Sequence, residues 1–372
     1  MAAKPRSGEA LDARYMHRAL TLAKRGLGRT HPNPPVGAVL VRRGEVVGQG
    51  WHHRAGEPHA EALAFAAAGK RARGATLYCT LEPCTVEGRT PACAPAVIDA
   101  GVARVVLGSV DTDRRVAGRG IRRIRRAGID VTTGVETAAC DELLRFYDRH
   151  RRAGRPWVRL KLATSLDGRI ALRDGTSKWI TGDAARAEVH RWRDQLDAVL
   201  VGSGTVRADD PTLDCRRPRG RDPIRVVADS RLRTLPTARL FQAGDAPVWL
   251  VTTKEASEGR ARRLEAAGGD ILRVKAREGR VDPRALLQAL GRRGVTSVLA
   301  EGGSTLAASL LRAGLVDELC VFQAPLLIGG DGIPMIQALG IESLAKAPRL
   351  GDVRVSRVGV DTLWTARLPT EG

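Results

Sequence analysis

The sequence predicts an α/β protein built from two domains, and three observations carry that reading. The chain has 372 residues, against the ~100–200 residues of an ordinary domain. Short apolar runs alternate with amphipathic stretches along its length, the pattern of strands and helices that pack in layers. The composition, 43% hydrophobic and 27% charged, is that of a globular chain with a full core, which excludes disorder as its main character.

Residues 13–25 read as an amphipathic helix, with Tyr15, Met16, Leu20, Leu22 and Ala23 apolar against Arg14, Arg18, Lys24 and Arg25. Residues 30–35 break it, because Pro32, Pro34 and Pro35 cannot continue a helix. A strand over 36–41, a turn over 42–44 and a return strand over 45–50 form a hairpin. An Ala-rich helix follows over 58–68, then a strand over 74–80 and a turn at Glu82-Pro83-Cys84. A helix over 91–100 closes at Gly101, and a buried strand occupies 102–109. Residues 143–155 form a polar, Arg-rich helix end and linker. The boundary is expected within 146–156, giving domains 1–148 and 149–372. A second series then begins. Its strands are expected over 157–163, 198–202, 224–229, 248–252, 271–274, 297–301 and 318–323, with helices notably at 184–196, 283–293 and 304–313. No internal repeat or long low-complexity tract interrupts it.

The mean hydropathy is −0.19. The longest mostly apolar stretches (62–68, 198–201 and 306–311) fall short of the ~20 residues a membrane span needs, so no membrane partner is expected. Residues 1–13 mix Lys4, Pro5, Arg6, Glu9 and Asp12 and hold no apolar leader segment, so a cytoplasmic protein is expected. The formal charge is +20, with a pI near 10.8. Such a charge suits nucleic acid. A compositional origin competes with that reading. Only eight of the 61 basic residues are Lys, and the Arg residues are scattered, with dense runs only at 119–126 and 145–155. A phosphorylated small substrate exploits the same positive field.

The six cysteines are Cys79, Cys84, Cys93, Cys140, Cys215 and Cys320, and only the first three cluster. In a reducing compartment they point to metal or catalysis more than to disulfides. His59-Ala60-Glu61 opens the Ala-rich helix, Pro83-Cys84 follows a strand, and Cys93 opens the next helix. A His-x-Glu pair followed by Pro-Cys and a further Cys is the pattern of zinc deaminases. One imidazole and two thiolates leave a fourth position for water, as a catalytic zinc requires. The metal lowers that water's pKa toward ~7. Helix N-termini at the ligand segments favour thiolate. Glu61, two residues from His59, is free to move protons rather than bind metal. Taken singly, each cysteine also reads as an ordinary buried thiol and His59 as a satisfied core histidine. A closed structural zinc would want a fourth ligand, for which Cys79 sits mid-strand.

The segments Thr30-His-Pro-Asn-Pro-Pro-Val-Gly37, Gly50-Trp-His-His-Arg-Ala-Gly-Glu-Pro-His-Ala-Glu61 and Cys79-Thr-Leu-Glu-Pro-Cys-Thr-Val-Glu-Gly-Arg-Thr-Pro-Ala-Cys93 are long and specific. They resemble the deaminase half of the bifunctional riboflavin-biosynthesis deaminase/reductase family. Residues 85–92 put eight positions between Cys84 and Cys93, where nucleic-acid and nucleoside deaminases usually have two. The resemblance covers nearly the whole chain. It implies a cytidine-deaminase-like α/β/α sandwich followed by a dihydrofolate-reductase-like α/β domain. It further implies one Zn²⁺ per chain on His59, Cys84 and Cys93, with Glu61 as catalytic proton carrier. The first reaction would remove an amino group from a diaminopyrimidinone ribosylamino 5′-phosphate. Asn33 and His52, at the matching positions, would hold the pyrimidine; without the resemblance, Asn33 reads equally as a turn residue. One segment departs from the family pattern. Where an Asp-Pro-Asn-Pro-like stretch is usual, this chain has Asp111-Thr-Asp-Arg-Arg-Val-Ala-Gly-Arg-Gly120. Asp113 replaces the amide and Arg114 a proline, and Arg114 and Arg115 suit phosphate contacts.

In the second domain no Gly-x-Gly-x-x-Gly follows an early strand, so a Rossmann fingerprint is not supported. Instead the strand over 297–301 runs into Gly302-Gly303-Ser304-Thr305 and a helix. That is a backbone cradle for pyrophosphate, or a plain strand-to-helix turn. The segments Lys161-Leu-Ala-Thr-Ser-Leu-Asp-Gly-Arg169, Ser177-Lys-Trp-Ile-Thr181, Gly204-Thr-Val-Arg-Ala-Asp-Asp-Pro-Thr-Leu213 and Glu301-Gly-Gly303 resemble the reductase half of the same family. The resemblance implies NADPH lined by Ala163, Trp179, Thr205, Asp209 and the turn of Gly303, Ser304, Thr305, Leu306, Ala307, Ala308 and Ser309. Ser230 and Arg231 follow the strand over 224–229, where a hydroxyl and a guanidinium suit a 2′-phosphate. Ser177, Arg193, Leu213, Arg216 and Glu301 would line the substrate, Arg193 and Arg216 as phosphate forks. Without the resemblance each such Arg reads as a solvated surface charge. The second reaction would deliver hydride to C1′ of the ribosyl side chain. A small phosphorylated pyrimidine, a homo-oligomeric state and no nucleic-acid partner are expected. A rival is a nucleic-acid base deaminase with an appended binding domain. The Cys84–Cys93 spacing and the 3% aromatic content argue against it, because single strands are gripped by stacking. A non-catalytic zinc-structured module is a further rival; it predicts that Glu61→Gln leaves every function intact.

Overall fold

The computed structural model describes residues 7–88 and 90–369. Residues 1–6 of the segment read for a leader lie outside the described residues. The chain divides into two compact units between Ala153 and Gly154.

The first unit runs α1 (Ser7–Ala23), β1 (Gly37–Arg42), β2 (Glu45–Trp51), α2 (Ala60–Ala68), β3 (Thr76–Leu81), α3 (Cys93–Asp99), β4 (Arg104–Ser109), α4 (Arg119–Arg126), β5 (Asp130–Thr133) and α5 (Thr137–Ala153). Its five-stranded sheet has the order β2-β1-β3-β4-β5. The β1–β2 hairpin and β1–β3 are antiparallel, and β3, β4 and β5 are parallel. The central strands are mostly apolar because both faces are covered. Ala38, Leu40, Leu77, Cys79, Val105 and Leu107 face α2, α3 and α4. Their neighbours Val39, Val41, Tyr78 and Val106 face α1 and α5. This period of two makes the α/β/α sandwich. Glycine is needed where α2 meets β2: a Cβ on Gly50 would lie 2.6 Å from Ala60 O, and one on Gly48 would lie 2.3 Å from Ala64 O. The expected boundary at 148/149 falls inside α5, which continues to Ala153 because its Cys140, Leu143, Leu144, Phe146 and Tyr147 are buried. The Arg-rich run over 119–126 is α4, a helix the sequence reading left out; only Gly120, Ile121 and Ile124 turn inward.

The second unit begins with β6 (Trp157–Thr164), β7 (Arg169–Ala171), α6 (Asp183–Gln195), β8 (Ala198–Gly202), α7 (Ser203–Asp209), β9 (Ile224–Ala228) and β10 (Val248–Thr253). It continues with α8 (Glu258–Ala266), β11 (Gly269–Val274), β12 (Ala276–Arg277), β13 (Arg280–Val281), α9 (Pro283–Arg292), β14 (Ser297–Ala300) and α10 (Ser304–Arg312). It ends with β15 (Glu318–Gln323), β16 (Ile333–Pro334), β17 (Gly351–Val358) and β18 (Asp361–Arg367). The nine-stranded sheet has the order β11-β10-β9-β8-β14-β6-β15-β18-β17. It is parallel from β11 to β15, and β18 and β17 add an antiparallel edge. Ala198 and Leu200 face a core completed by α9 and α10, while Val199 and Val201 face one completed by α8. The C-terminal hairpin was not among the expected strands, because β17 is exposed along almost its whole length and shows no buried alternation. Among the described residues no helix is long and apolar enough to cross a membrane.

Candidate functional site

In the first unit, His59 is the residue preceding α2 and Glu61 lies in that helix's first turn. Strand β3 ends at Leu81 and delivers Glu82-Pro83-Cys84, while Cys93 is the first residue of α3. One ligand atom from each of His59, Cys84 and Cys93 lies within 4.8 Å of the others. His59 Nδ1 is 3.2 Å from Cys93 Sγ and 3.6 Å from Cys84 Sγ. The Cys93 N–H donates to Cys84 Sγ at 3.4 Å, and the Ala94 N–H to Cys84 C=O at 3.0 Å, so the α3 N-terminus steadies Cys84. Behind the imidazole, Thr90 Oγ1 lies 3.2 Å from His59 Nε2. A hydroxyl accepting from Nε2–H selects the tautomer whose Nδ1 lone pair faces both sulfurs. Thr90 was missed in the sequence, where nothing distinguishes it from a loop threonine.

The electrostatics suit this donor set. Hydrogen bonding to Cys84 holds His59 above its ordinary pKa against the opposing effect of burial. Hydrogen bonding from Cys93, helped by His59, draws the Cys84 thiol down. Its bond to Cys84 and its burial push Cys93 up. Nitrogen and two sulfurs at these separations fit a tetrahedral zinc with one open position. Cys79 is fully buried in β3 and, among the described residues, stands outside the ligand group, so no fourth protein ligand closes the site. Glu61 is also outside the group. It is 4% exposed, and burial first, then the Cys84 sulfur, raises its carboxyl. A raised, buried carboxyl beside the metal position is equipped to carry protons.

Asn33 and His52 are brought together. Asn33 Nδ2 donates to His52 Nε2 at 3.1 Å, and His52 Nδ1–H donates to Pro58 C=O at 3.2 Å. His52 packs edge-on against His59, with centroids 5.1 Å apart. Burial lowers its pKa, so the neutral ring that this network needs is the favoured form. The departing segment closes on itself: Arg115 grips Asp113 at 2.6 Å, Arg151 stands 3.7 Å away, and the Arg115 bond holds the Asp113 carboxyl down at about 2. Arg115, expected to be available for phosphate, is engaged by that carboxylate, whereas Arg114 is exposed.

The second unit holds a cavity of about 2050 Å³. Its wall includes Ala163, Trp179, Thr205, Asp209 and Ser230. Gly303, Ser304, Thr305, Leu306 and Ser309 line it as well, where β14 turns into α10. Ala307 and Ala308 do not line it; both side chains are fully buried in the core beneath the helix. Ser177, Arg193, Leu213, Arg216 and Glu301 also reach the cavity. Arg193 is not free to act as a phosphate fork. It grips Glu301 through two bonds of 2.7 and 3.0 Å and donates to Asp214 C=O at 2.9 Å. Burial works to raise the Glu301 carboxyl, but Arg193 and Lys161 outweigh it and hold the group low. Arg216 is more open and donates to Asp214 and Thr212. Lys161 and His190 join the wall, two polar groups the sequence reading passed over as site residues. Desolvation lowers both. Trp179 is 67% exposed, with Arg186 stacked on its ring at 4.4 Å.

Fold and site together define a two-domain enzyme, a zinc-type deaminase centre followed by a reductase domain. Residues 9–109 match the cytidine and deoxycytidylate deaminase zinc-binding region, and residues 156–364 match the RibD C-terminal domain. The chain is 44% identical over 363 residues to the riboflavin biosynthesis protein RibD of Escherichia coli K12, covering 94% of this chain and 97% of that protein. It is 40% identical over 364 residues to the Bacillus amyloliquefaciens RibD, covering 97% of each. The solved structure of Acinetobacter baumannii RibD is similar with a TM-score of 0.87 and 36% identity, over 97% of this chain and 100% of that one. So is a diaminohydroxyphosphoribosylaminopyrimidine deaminase/5-amino-6-(5-phosphoribosylamino)uracil reductase from Thermotoga maritima, at 0.86 and 35%, over 97% of this chain and 100% of that one. The chain belongs to the RibD family of riboflavin-biosynthesis proteins and carries that family's deaminase and reductase domains.

Proposed function

We propose that the first domain hydrolytically deaminates 2,5-diamino-6-(5-phosphoribosylamino)pyrimidin-4(3H)-one. The second domain then reduces the ribosyl side chain of 5-amino-6-(5-phosphoribosylamino)uracil to ribityl. The observation that carries this reading is the convergence of His59, Cys84 and Cys93 beside a buried Glu61. His59, Cys84 and Cys93 hold the zinc, which when bound supplies an acidified water. Glu61 takes a proton as the new C–O bond forms and returns it to the amine nitrogen as the C–N bond breaks, releasing ammonia. Asn33 commits its NH₂ to His52, which leaves Oδ1 to accept from a ring N–H or exocyclic amine of the pyrimidine. Buried behind it, His52 fixes the Asn33 amide.

In the second domain the α10 N-terminus, Thr205, Asp209, Ser230 and Trp179 hold NADPH, which when bound supplies hydride for C1′. Arg193 orients Glu301 toward the substrate, and Arg216, the more open of the two expected forks, meets its phosphate. Location in the cytoplasm agrees with six unbridged cysteines. A homo-oligomer agrees with the exposed valines of the outer strand, where Val353 and Val355 are 51% and 53% exposed. The surplus charge serves phosphorylated ligands, not nucleic acid.

The test is a coupled assay with the diaminopyrimidinone phosphate and NADPH. Glu61→Gln is expected to abolish ammonia release while preformed aminouracil is still reduced. Failure of folded, zinc-loaded wild type to release ammonia would refute the deaminase assignment.

A further inference from the structure

Glu82 is a carboxylate that the chemistry above leaves unused. It is 3% exposed, and it stands two residues before Cys84 at the end of β3. Its oxygens accept from three backbone N–H groups. Oε2 takes those of Gly118 at 2.8 Å and Asp111 at 3.3 Å, and Oε1 takes that of Ile121 at 3.1 Å. Gly118 is the N-cap residue of α4, and Ile121 lies in its first turn. That helix begins without a side-chain cap, and its first turn has no acidic residue among its arginines. A carboxylate from another segment therefore fills the place a local cap would take. The approach is close: a Cβ on Gly120 would lie 2.1 Å from Pro83 O. On its other side Cys84 is held by the α3 N-terminus through the Cys93 and Ala94 N–H groups. The ligand turn is thus clamped between two helix N-termini, directly by α3 and through Glu82 by α4.

We propose that Glu82 is a positioning residue of the metal site, a buried latch that ties the turn carrying Cys84 to the start of α4 and to the backbone of Asp111. The inference rests on the zinc reading above. Loss of the latch leaves three donors without their acceptor and frees the turn on one side, so the Cys84 thiolate is no longer preset for a tetrahedral ion. Outer contacts of metal ligands typically change affinity by roughly 10–100-fold.

The experiment measures zinc affinity by competition with a chromophoric chelator, and the d–d spectrum of the Co²⁺-substituted full chain. The proteins are wild type, Glu82→Gln, Glu82→Asp and Asp12→Asn. Asp12 pairs with Arg104 at 2.8 Å on the opposite face of the sheet, so its replacement destabilises the same domain away from the ligands. Affinity is expected to fall in the order wild type, Asp, Gln, by about tenfold or more for Gln, with an altered Co²⁺ spectrum. Asp12→Asn is expected to keep wild-type affinity and spectrum. Should the Gln variant fail to fold, the Asp variant decides. Wild-type affinity in the folded Glu82 variants, or an equal loss in Asp12→Asn, overturns the latch. Failure of wild type to bind zinc overturns the underlying reading instead.

Discussion

Thr90 and Arg193 show how one side chain sets the state of another. Thr90 meets His59 at the nitrogen that does not face the sulfurs. Thr90→Val keeps the shape and removes the acceptor, so zinc affinity is expected to fall roughly 10–100-fold, with Thr90→Ser close to wild type; chelator competition reads both. Arg193 acts on a charge. With it, the Glu301 carboxyl sits below its usual value of 4.5, so its contribution to stability is present above that value and is lost as acid takes the pH through the lowered one. In Arg193→Gln burial is opposed only by Lys161 and His190, so the folded-state value rises and the carboxylate's contribution to stability above 4.5 shrinks. That variant should lose stability relative to wild type as the pH climbs past 4.5, read by urea unfolding across an acid-to-neutral series. An unchanged pH profile would contradict the pairing.

The site depends on how closely α2 lies on β2. Gly48 and Gly50 face the Ala-rich helix, so backbone meets backbone, and the start of α2 places His59 and Glu61. Gly50→Ala forces a Cβ to within 2.6 Å of both Ala60 O and Leu63 Cβ, which are backbone or near-backbone atoms that cannot swing aside. Overpacking of this kind costs about 1–3 kcal/mol. The variant should show that loss in denaturant unfolding together with weaker zinc binding, because the displaced helix carries a ligand at its start. The sequence shows an Ala-rich helix over 58–68 but does not say which strand that helix meets.

Each unit encloses its own buried clusters. Zinc is therefore expected to raise the unfolding temperature of the first domain and NADPH that of the second. A ligand at 100 times its Kd adds about 2.7 kcal/mol to the state it binds. Differential scanning calorimetry with zinc, chelator or NADPH checks this; both transitions moving with one ligand would contradict it. A cut after Ala153 is the expected division for separate expression, since a cut at 148 removes the last turn of α5.

Local chemistry determined much of this protein without coordinates. The prolines, the hairpin, the apolar strands and the His-x-Glu and Pro-Cys motifs are properties of short segments, legible because backbone constraints and metal-ligand types are written residue by residue. Tertiary structure decided what depends on partners remote in the chain. The polar helix α4 stands because Glu82, 36 positions before Gly118, caps it. Arg193 is bound to a carboxylate 108 positions away rather than waiting for phosphate. Each of these follows from a hydrogen bond or ion pair between segments that only folding brings together, and no window of sequence contains both halves.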